Sequence, residues 1–275
     1  GPEDELEKKL QEMTAQGNFK AGEEFEEIDA KRAIVIPGLV NTHSHLGMVP
    51  FRGLGDDCKD RLRVFLLPRE NQAMDAEMAA LSSRYAVAEM LLSGITTVLD
   101  MYYFEEVVAK VMDEMGIRGI AGETVMETDS CDSENTDQAI ERGLALIAAY
   151  KDHPRVSGTL TPHGTTTCSP ETLKRVYEED VKAGSVFTLH TAEMDYEMTQ
   201  IREQYGMTPV EFLEHIGVLG PNTLTAHTIP ATEWDVEILA KHGASVAHCI
   251  ASNTKAGKGV APVSLMHKHG ISVGF

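Results

Sequence analysis

The stretch IVIPGLVNTHSHLGMVPFRG, residues 34–53, begins as an apolar run and then places two histidines one residue apart. The apolar run over 33–40 predicts a buried β-strand, and alternate residues of a strand point to the same side. His43 and His45 therefore share one face, whereas Ser44 points away. Two imidazoles held together at a strand end can bind one transition-metal ion, or each can bond to a backbone carbonyl. The pattern alone leaves both interpretations open.

Seven further short runs rich in β-forming residues follow the first one, and helical patterns separate them. These runs lie at 95–99, 117–121, 155–161, 185–189, 222–226, 244–247 and 271–275. The segments between them are amphipathic, and several end in glycine, as helix C-termini commonly do. They cover 78–94, 104–116, 139–152, 169–184, 208–217 and 231–243. Strands separated by helices indicate parallel βαβ units.

Eight strands of this kind predict an α/β fold, namely a closed (β/α)8 barrel of the TIM type. An open doubly wound sheet is the alternative, but it expects a phosphate loop such as GxGxxG, and none follows a strand here. In a barrel the active site forms at the C-terminal ends of the strands. Seven strands close on ionisable residues: His43 with His45, Asp100, Glu123, His163, His190, His227 and His248. We expect these side chains to converge on one mouth.

The composition restricts the classes of partner. The chain has 43 acidic and 24 basic residues and a formal charge of −19. Nucleic acids and anionic membranes require clustered lysine and arginine, so the charge argues against both. Four cysteines without CxxC spacing predict reduced thiols. No apolar run approaches the roughly 20 residues that cross a bilayer, and no signal peptide is present, so the cytoplasm is the expected compartment.

Three further strand-end residues extend the histidine pair into a candidate catalytic centre. His190, at the end of the fifth strand, supplies a third nitrogen and favours the metal interpretation. Glu193 lies three residues later, where a carboxylate can reach a metal-bound water or stabilise a helix N-terminus. His227 closes the sixth strand and can bond to that water or to charge developing on a substrate. His163, on the fourth strand, is predicted to contact the substrate rather than the metal.

Five motifs in chain order resemble the amidohydrolase superfamily, and most closely its deaminase and chlorohydrolase branch. They are PGLVNTHSHLGM, HTAE, LTAH, AHCIASN and GKGVAPV. The resemblance runs from about residue 28 to the last residue. LLPRE (66–70), DMYY (100–103) and TPH (161–163) favour the methylthioadenosine/S-adenosylhomocysteine deaminase group. Guanine deaminases and triazine hydrolases belong to the same branch.

The resemblance implies one divalent metal ion, with zinc as the expected metal and iron as the alternative. Three residues match the histidine ligands of the family: His43, His45 and His190. Glu193 matches the proton shuttle, and His227 matches the second active-site histidine. Glu70 matches a residue that contacts the ribose, and His163 matches one that contacts the substrate.

The implied reaction is hydrolytic deamination of an amino-substituted N-heterocycle such as a purine or an adenosine derivative. Metal-activated hydroxide attacks the ring carbon, Glu193 carries protons to the ring and to the departing ammonia, and His227 stabilises the charge. Two alternatives stay open. One is removal of chloride or an alkylamine from a triazine-like ring, and the other is an inactive barrel that serves as a scaffold. The resemblance also implies a small-molecule substrate and a homodimer or larger homo-oligomer.

The chain departs from the family pattern at both ends. Family members carry a metal-binding aspartate at the end of strand eight, typically in a GTDG context, and this chain stops at ISVGF, residues 271–275. We predict a barrel over 33–275, truncated after strand eight, with weaker metal binding and a steep loss of turnover. Residues 1–32 are predicted as an acidic segment that holds a remnant of the small β-sandwich of the family.

Overall fold

A computed structural model describes residues 3–16, 30 and 33–275 of the chain. The chain divides into two compact units, Gly1–Pro37 and Gly38–Phe275. In the first unit, part of the acidic segment forms the helix α1 (Glu3–Ala15). The predicted sandwich remnant within 1–32 falls mostly outside the described residues, and the proposed domain boundary stays a prediction.

In the second unit, whose residues are all described, eight parallel strands alternate with helices. The strands are β1 (Leu39–Ser44), β2 (Ile95–Tyr102), β3 (Arg118–Val125), β4 (Val156–Pro162), β5 (Phe187–Thr191), β6 (Thr223–His227), β7 (Ser245–Ala247) and β8 (Val273–Gly274). The α-helices are α2 (Leu67–Ala73), α3 (Ala76–Leu92), α4 (Glu105–Met115), α5 (Thr136–Ala149), α6 (Pro170–Ala183), α7 (Asp195–Tyr205), α8 (Pro209–Ile216), α9 (Glu233–His242), α10 (Ile250–Lys255) and α11 (Val263–Lys268). A 3-10 helix (Leu46–Phe51) and a π-helical turn (Leu62–Leu66) lie between β1 and α2.

The first strand begins later than the apolar run over 33–40 predicts. β1 starts at Leu39, and the three preceding aliphatic residues are exposed: Ile34, Val35 and Ile36. Pro37 has no N–H to donate to a sheet, which excludes it from a central strand. The prediction for residues 33–38 is therefore wrong. The strand continues instead to Ser44, so that the His-x-His motif forms its C-terminal end.

Two contacts join the sheets β1–β4 and β5–β8 into one ring. The first is a parallel bridge between Gly164 and His190 at the end of β4 and β5. The second is a hydrogen bond of 2.9 Å from the Thr42 N–H to the Phe275 carbonyl, just after β8. Gly274 permits this approach, because a Cβ there would lie 2.3 Å from the Thr42 side chain. The predicted (β/α)8 barrel is confirmed.

The N-terminal ends of the longer helices follow from the sequence, whereas a short helix does not. The Ser169 and Thr208 side chains, at the start of two predicted helical segments, cap α6 and α8 by accepting hydrogen bonds from backbone N–H groups. The short helix α10 (Ile250–Lys255) is not among the helical segments predicted above. A six-residue helix is too short to show an apolar period. Among the described residues, no helix is both long and apolar enough to cross a bilayer.

Candidate active site

Four histidines from β1, β5 and β6 meet at the C-terminal end of the barrel strands. The ring centroid of His43 lies 4.9 Å from that of His45, 4.8 Å from that of His190 and 5.5 Å from that of His227. Nitrogen atoms of His43, His190 and His227 lie within 4.8 Å of one another. The Nε2 atoms of His45 and His190 are 3.3 Å apart. The structure thus brings together the three predicted metal ligands and the predicted second histidine.

Backbone hydrogen bonds set which nitrogen of two rings faces the centre. The Nδ1–H of His45 donates to the Met101 carbonyl, and the Nδ1–H of His190 donates to the His163 carbonyl, both at 2.5 Å. Each Nε2 therefore presents a lone pair. The two lone pairs face each other, which is repulsive unless a cation lies between them. Two nitrogens bound to one tetrahedral zinc at about 2.0–2.1 Å are about 3.3 Å apart.

The ring nitrogens of His43 are also available to a metal ion, and its imidazole is neutral. Both of its ring nitrogens are buried and have no hydrogen-bond partner among the described residues, a costly arrangement that a bound metal ion relieves. Burial, with the neighbouring histidines, lowers the pKa of His43 well below its usual value. Burial also lowers the pKa values of His45 and His190 to about 4. All three imidazoles are neutral at pH 7, which is the form that binds metals, and they fit a divalent cation.

Glu193, between β5 and α7, places an ionised carboxylate beside these rings. Its Oε1 lies 3.6 Å from Nε2 of His227 and 2.6 Å from Nζ of Lys258. Burial raises the pKa of Glu193, but His227, His190 and Lys258 outweigh burial and bring it down to about 2. Burial lowers the pKa of His227 as well, so this imidazole is largely neutral at pH 7. Lys258 is therefore the ion-pair partner of Glu193 in this site.

A second carboxylate fixes the backbone that carries Glu193. Glu197, in the first turn of α7, accepts hydrogen bonds from the N–H groups of Ala192 and Glu193, each at 2.9 Å. It also accepts one from the Thr165 hydroxyl at 2.6 Å. Ala192 adopts a positive φ of 52°, which is unusual for a residue with a side chain. The turn from β5 into α7 is thus held in a strained but well-bonded conformation.

His227 is presented by a strained turn and oriented by an amide. The φ angles of His227 and Thr228 are 71° and 48°, in a region that non-glycine residues rarely adopt. The Thr228 N–H donates to the Thr191 carbonyl at 2.9 Å, which ties this turn to the end of β5. Asn253 Oδ1 in α10 accepts from His227 Nδ1 at 2.7 Å. Nε2 of His227 therefore faces Glu193, and strain of this kind is typical of functional sites.

A cavity of about 210 Å³ opens beside the histidine cluster, and His163 is part of its wall. The His163 ring lies 4.8 Å from that of His190, and its Nδ1 bonds to the Thr167 hydroxyl at 3.0 Å. Polar groups from several elements also line the cavity, among them Asn71, Asp129 and Gln200. The cavity is large enough for part of a small organic molecule.

Glu70 lies near the same region but does not line that cavity. It is 1% exposed, and it accepts a hydrogen bond of 2.9 Å from the Tyr102 hydroxyl. The Tyr102 ring lies 6.2 Å from the ring of His45. Burial raises the pKa of Glu70 to about 7, although the bond from Tyr102 opposes the shift. Two neighbours of Glu70 in α2, Leu67 and Asn71, contribute to the cavity wall.

A sequence model of the amidohydrolase family matches residues 34–275. The chain belongs to the amidohydrolase family. The 5-methylthioadenosine/S-adenosylhomocysteine deaminase of Aquifex aeolicus (strain VF5) is 36% identical over 259 residues, which are 94% of this chain and 60% of that protein. The 5'-deoxyadenosine deaminase of Methanosarcina barkeri (strain Fusaro / DSM 804) is 36% identical over 250 residues, or 90% of this chain and 57% of that protein.

A solved structure shows the same fold with a metal ion. An adenosine deaminase from Xanthomonas campestris with bound zinc is similar to this chain with a TM-score of 0.83 and 29% sequence identity. The similarity covers 86% of this chain and 55% of that one. This amidohydrolase chain therefore spans 60% or less of the length of each of these three proteins.

Asp100 does not join the histidine cluster, contrary to the expectation that all strand ends converge. Its Oδ1 accepts two hydrogen bonds of 2.7 Å, from the Ser44 hydroxyl and from the Leu46 N–H. These two residues flank His45, so Asp100 anchors the turn that carries His45 in this amidohydrolase. Burial raises the pKa of Asp100 to about 6, and the adjacent buried Glu105 has a raised pKa for the same reason.

Glu123 and His248 also lie outside the cluster, so the expectation of a single mouth is wrong for them too. Glu123 is buried and pairs with Arg142 at 3.0 Å, because a buried carboxylate needs a cation or a donor. His248 packs its ring 6.0 Å from that of Phe275. The sequence pattern locates the ends of the strands correctly, but it does not show which of the side chains there turn toward the histidine cluster.

Three residues that hydrogen-bond to predicted site residues were not themselves predicted from the sequence. Asn253 and Lys258 fall in the AHCIASN and GKGVAPV motifs, and Tyr102 falls in DMYY. Their partners, His227, Glu193 and Glu70, are 26 to 65 residues away in the chain. No periodic pattern encodes such pairs. The motifs alone mark these residues as candidates.

Proposed function

We propose that this chain is the catalytic barrel of a metal-dependent hydrolytic deaminase that acts on a purine or adenosine derivative. One observation carries the proposal, namely the facing Nε2 lone pairs of His45 and His190 beside the ionised Glu193. The names of the Aquifex and Methanosarcina relatives describe deaminases of adenosine derivatives, which supports the substrate class.

Three histidines would hold the ion: His43, His45 and His190. When bound, the metal supplies a Lewis acid that activates water for attack on an electron-poor ring carbon. We expect zinc, because the Xanthomonas relative contains it, with iron as the alternative. We assign His227 to proton and charge chemistry rather than to the metal. Its Nδ1 is bonded to Asn253 and its Nε2 faces Glu193.

Glu193 is proposed as the group that moves protons. Its carboxylate takes a proton from the attacking water and delivers protons to the ring nitrogen and to the departing ammonia. His227 Nε2 is placed to accept a proton from the same region and then to bond to the negative charge that develops on the substrate. Both groups are largely excluded from solvent, which strengthens these interactions.

His163 and Glu70 are proposed as substrate contacts. His163 is part of the cavity wall, so it supports a role in binding the part of the substrate that does not react. Glu70 would bond to a ribose hydroxyl through the carboxyl group that Tyr102 already holds.

A cytoplasmic location and a homodimeric or larger assembly remain part of the proposal. Light scattering of the purified protein tests the assembly.

The test is ammonia release by the zinc-loaded chain from adenosine, 5'-deoxyadenosine, methylthioadenosine, S-adenosylhomocysteine and guanine. We expect release from at least one adenosine derivative and a loss of at least about 1,000-fold in Glu193→Gln. Because the matched residues cover only 60% of the Aquifex relative, the same assay is run on a chimera extended with the C-terminal part of that relative. Inactivity of both zinc-loaded proteins contradicts the proposal. Release of chloride or an alkylamine from triazines alone supports the alternative hydrolase.

A further inference from the structure

Lys258 is a charged residue in the candidate site to which the proposed reaction gives no role. Its Nζ lies 2.6 Å from Oε1 of Glu193, and its side chain is only 19% exposed. Glu193 is itself 11% exposed. A short ion pair in such surroundings is stronger and better defined than one at the surface.

The backbone around Lys258 is built to hold this position. Gly257 and Gly259 have φ angles of 67° and 107°, which residues with a side chain rarely adopt. The Lys258 N–H donates to the Asn253 carbonyl at 2.9 Å. Asn253 also orients His227 through its side chain. One segment, residues 253–258, therefore contacts both proposed members of the acid–base pair.

Lys258 makes the shorter of two contacts to the same carboxylate oxygen of Glu193. Nε2 of His227 lies 3.6 Å from Oε1 of Glu193, which is beyond a normal hydrogen bond. The ammonium at 2.6 Å therefore sets the orientation of the carboxylate. Removal of the ammonium frees the Glu193 side chain to rotate away from the histidine cluster.

We propose that Lys258 is a positioning residue that holds the Glu193 carboxylate at the metal centre. The inference rests on the proposed function, because it takes Glu193 as the proton-transferring group. Misplacement of a reacting group by about 1 Å can reduce turnover by about 100-fold. Lys258 bonds to Glu193 and is not part of the cavity wall beside His163, so we assign its effect to Glu193.

The test compares Lys258→Met, which removes the charge, with Lys258→Arg, which keeps it. Lys255→Met is the matched control, because Lys255 lies three residues away and pairs with Asp56 at 2.9 Å on the exposed surface. We expect kcat for ammonia release to fall about 10- to 100-fold in K258M, with KM changed less than about 3-fold. We expect K258R to retain most of the wild-type kcat and K255M to equal the wild type.

Three kinetic results overturn the proposal. An unchanged kcat in K258M means that the ion pair does not matter, and a raised KM with unchanged kcat means that Lys258 contacts the substrate. Loss of zinc in K258M means a structural role. A double variant gives a further check. If Lys258 acts only through Glu193, then E193Q/K258M is no slower than E193Q.

A structural measurement separates this proposal from failure of the proposed function. If the wild type and the chimera release no ammonia, then the deaminase assignment fails on its own. Crystal structures of the zinc-loaded wild type and of K258M still test the positioning role. We expect a single Glu193 conformation bonded to Lys258 in the wild type, and a rotated or divided one in K258M. The same Glu193 conformation in both structures overturns the proposal.

Discussion

The Nε2 atoms of His45 and His190 lie 3.3 Å apart, although 145 residues separate the two histidines in the chain. Each ring is held by a carbonyl from the neighbouring strand or from its end, Met101 for His45 and His163 for His190. Because β1 lies beside β2 and β4 beside β5, each histidine and the carbonyl that orients it come from adjacent strands. The geometry of the centre is a property of the closed barrel rather than of one segment.

The division of roles among the histidines leads to a first prediction. We expect His43→Asn to weaken zinc binding by at least about 100-fold, because it removes one of the three proposed ligands. We expect His227→Asn to weaken it less than about 10-fold, while turnover is lost. Competition with a chromophoric chelator measures both affinities. Equal loss of zinc in the two variants would make His227 a ligand and contradict the assignment.

Asp100 gives a second prediction, about metal affinity rather than turnover. Its carboxylate accepts hydrogen bonds from the groups on either side of His45. Loss of supporting bonds of this kind typically costs 10- to 100-fold in metal affinity. We expect a loss in this range for Asp100→Ala and a smaller one for Ser44→Ala, which removes only one of the two bonds. Unchanged zinc affinity in D100A, with the variant folded by circular dichroism, would refute the anchoring role.

Asn253 gives a third prediction, which separates orientation from binding. Asn253 orients the His227 ring through its side-chain Oδ1. Without this oxygen, the ring can rotate or change its tautomer. We expect Asn253→Ala to reduce kcat about 10- to 100-fold with little change in KM or zinc content. The control is Ser252→Ala in the same helix, because Ser252 is exposed. Steady-state kinetics with both variants test this role, and normal turnover in N253A would contradict the orienting role of Asn253.

Glu70 gives a fourth prediction, about stability and pH. Burial raises its pKa from 4.5 to about 7, so the native state binds the proton more tightly than the unfolded state. The contribution of Glu70 to stability is full below about pH 4.5 and is lost as the pH rises through about 7. The shift corresponds to about 3 kcal/mol. We expect the free energy of unfolding of the wild type to fall by this amount relative to Glu70→Gln between about pH 4.5 and 8.

Urea unfolding of the metal-free proteins at both pH values measures this difference. The control is Glu77→Gln, because Glu77 is exposed in the first turn of α3. We expect no difference in pH dependence between that variant and the wild type. A constant gap between the wild type and E70Q across the range would show that folding does not raise the pKa of Glu70, which contradicts the prediction.

The sequence was sufficient for the order of the strands, for six of the helices (α3, α4, α5, α6, α8 and α9) and for the histidines that meet. Strand and helix periods are local properties, and seven strand ends could be located from them. The His-x-His pair follows from the alternation of β1, and the Ser44 bond to Asp100 confirms that its middle residue points away. The start of β1 was missed because the apolar run extends before Pro37.

The supporting contacts could not be predicted in the same way. Whether Asp100 or Glu123 turns toward the histidines depends on donors from distant residues, such as Leu46 and Arg142. The pair of Lys258 with Glu193 depends on the turn made by two glycines after α10. Such contacts require the packed barrel, because a motif gives the identity of a residue without the direction of its side chain.

The central claim is that the facing histidines form a metal centre, and anomalous diffraction at the zinc edge tests it most directly. Crystals of the zinc-loaded protein are measured on both sides of the edge, with metal content determined on the same sample. The account predicts about one zinc per chain in contact with His43, His45 and His190. No zinc between His45 and His190, or a stoichiometric zinc elsewhere in the chain, would contradict it.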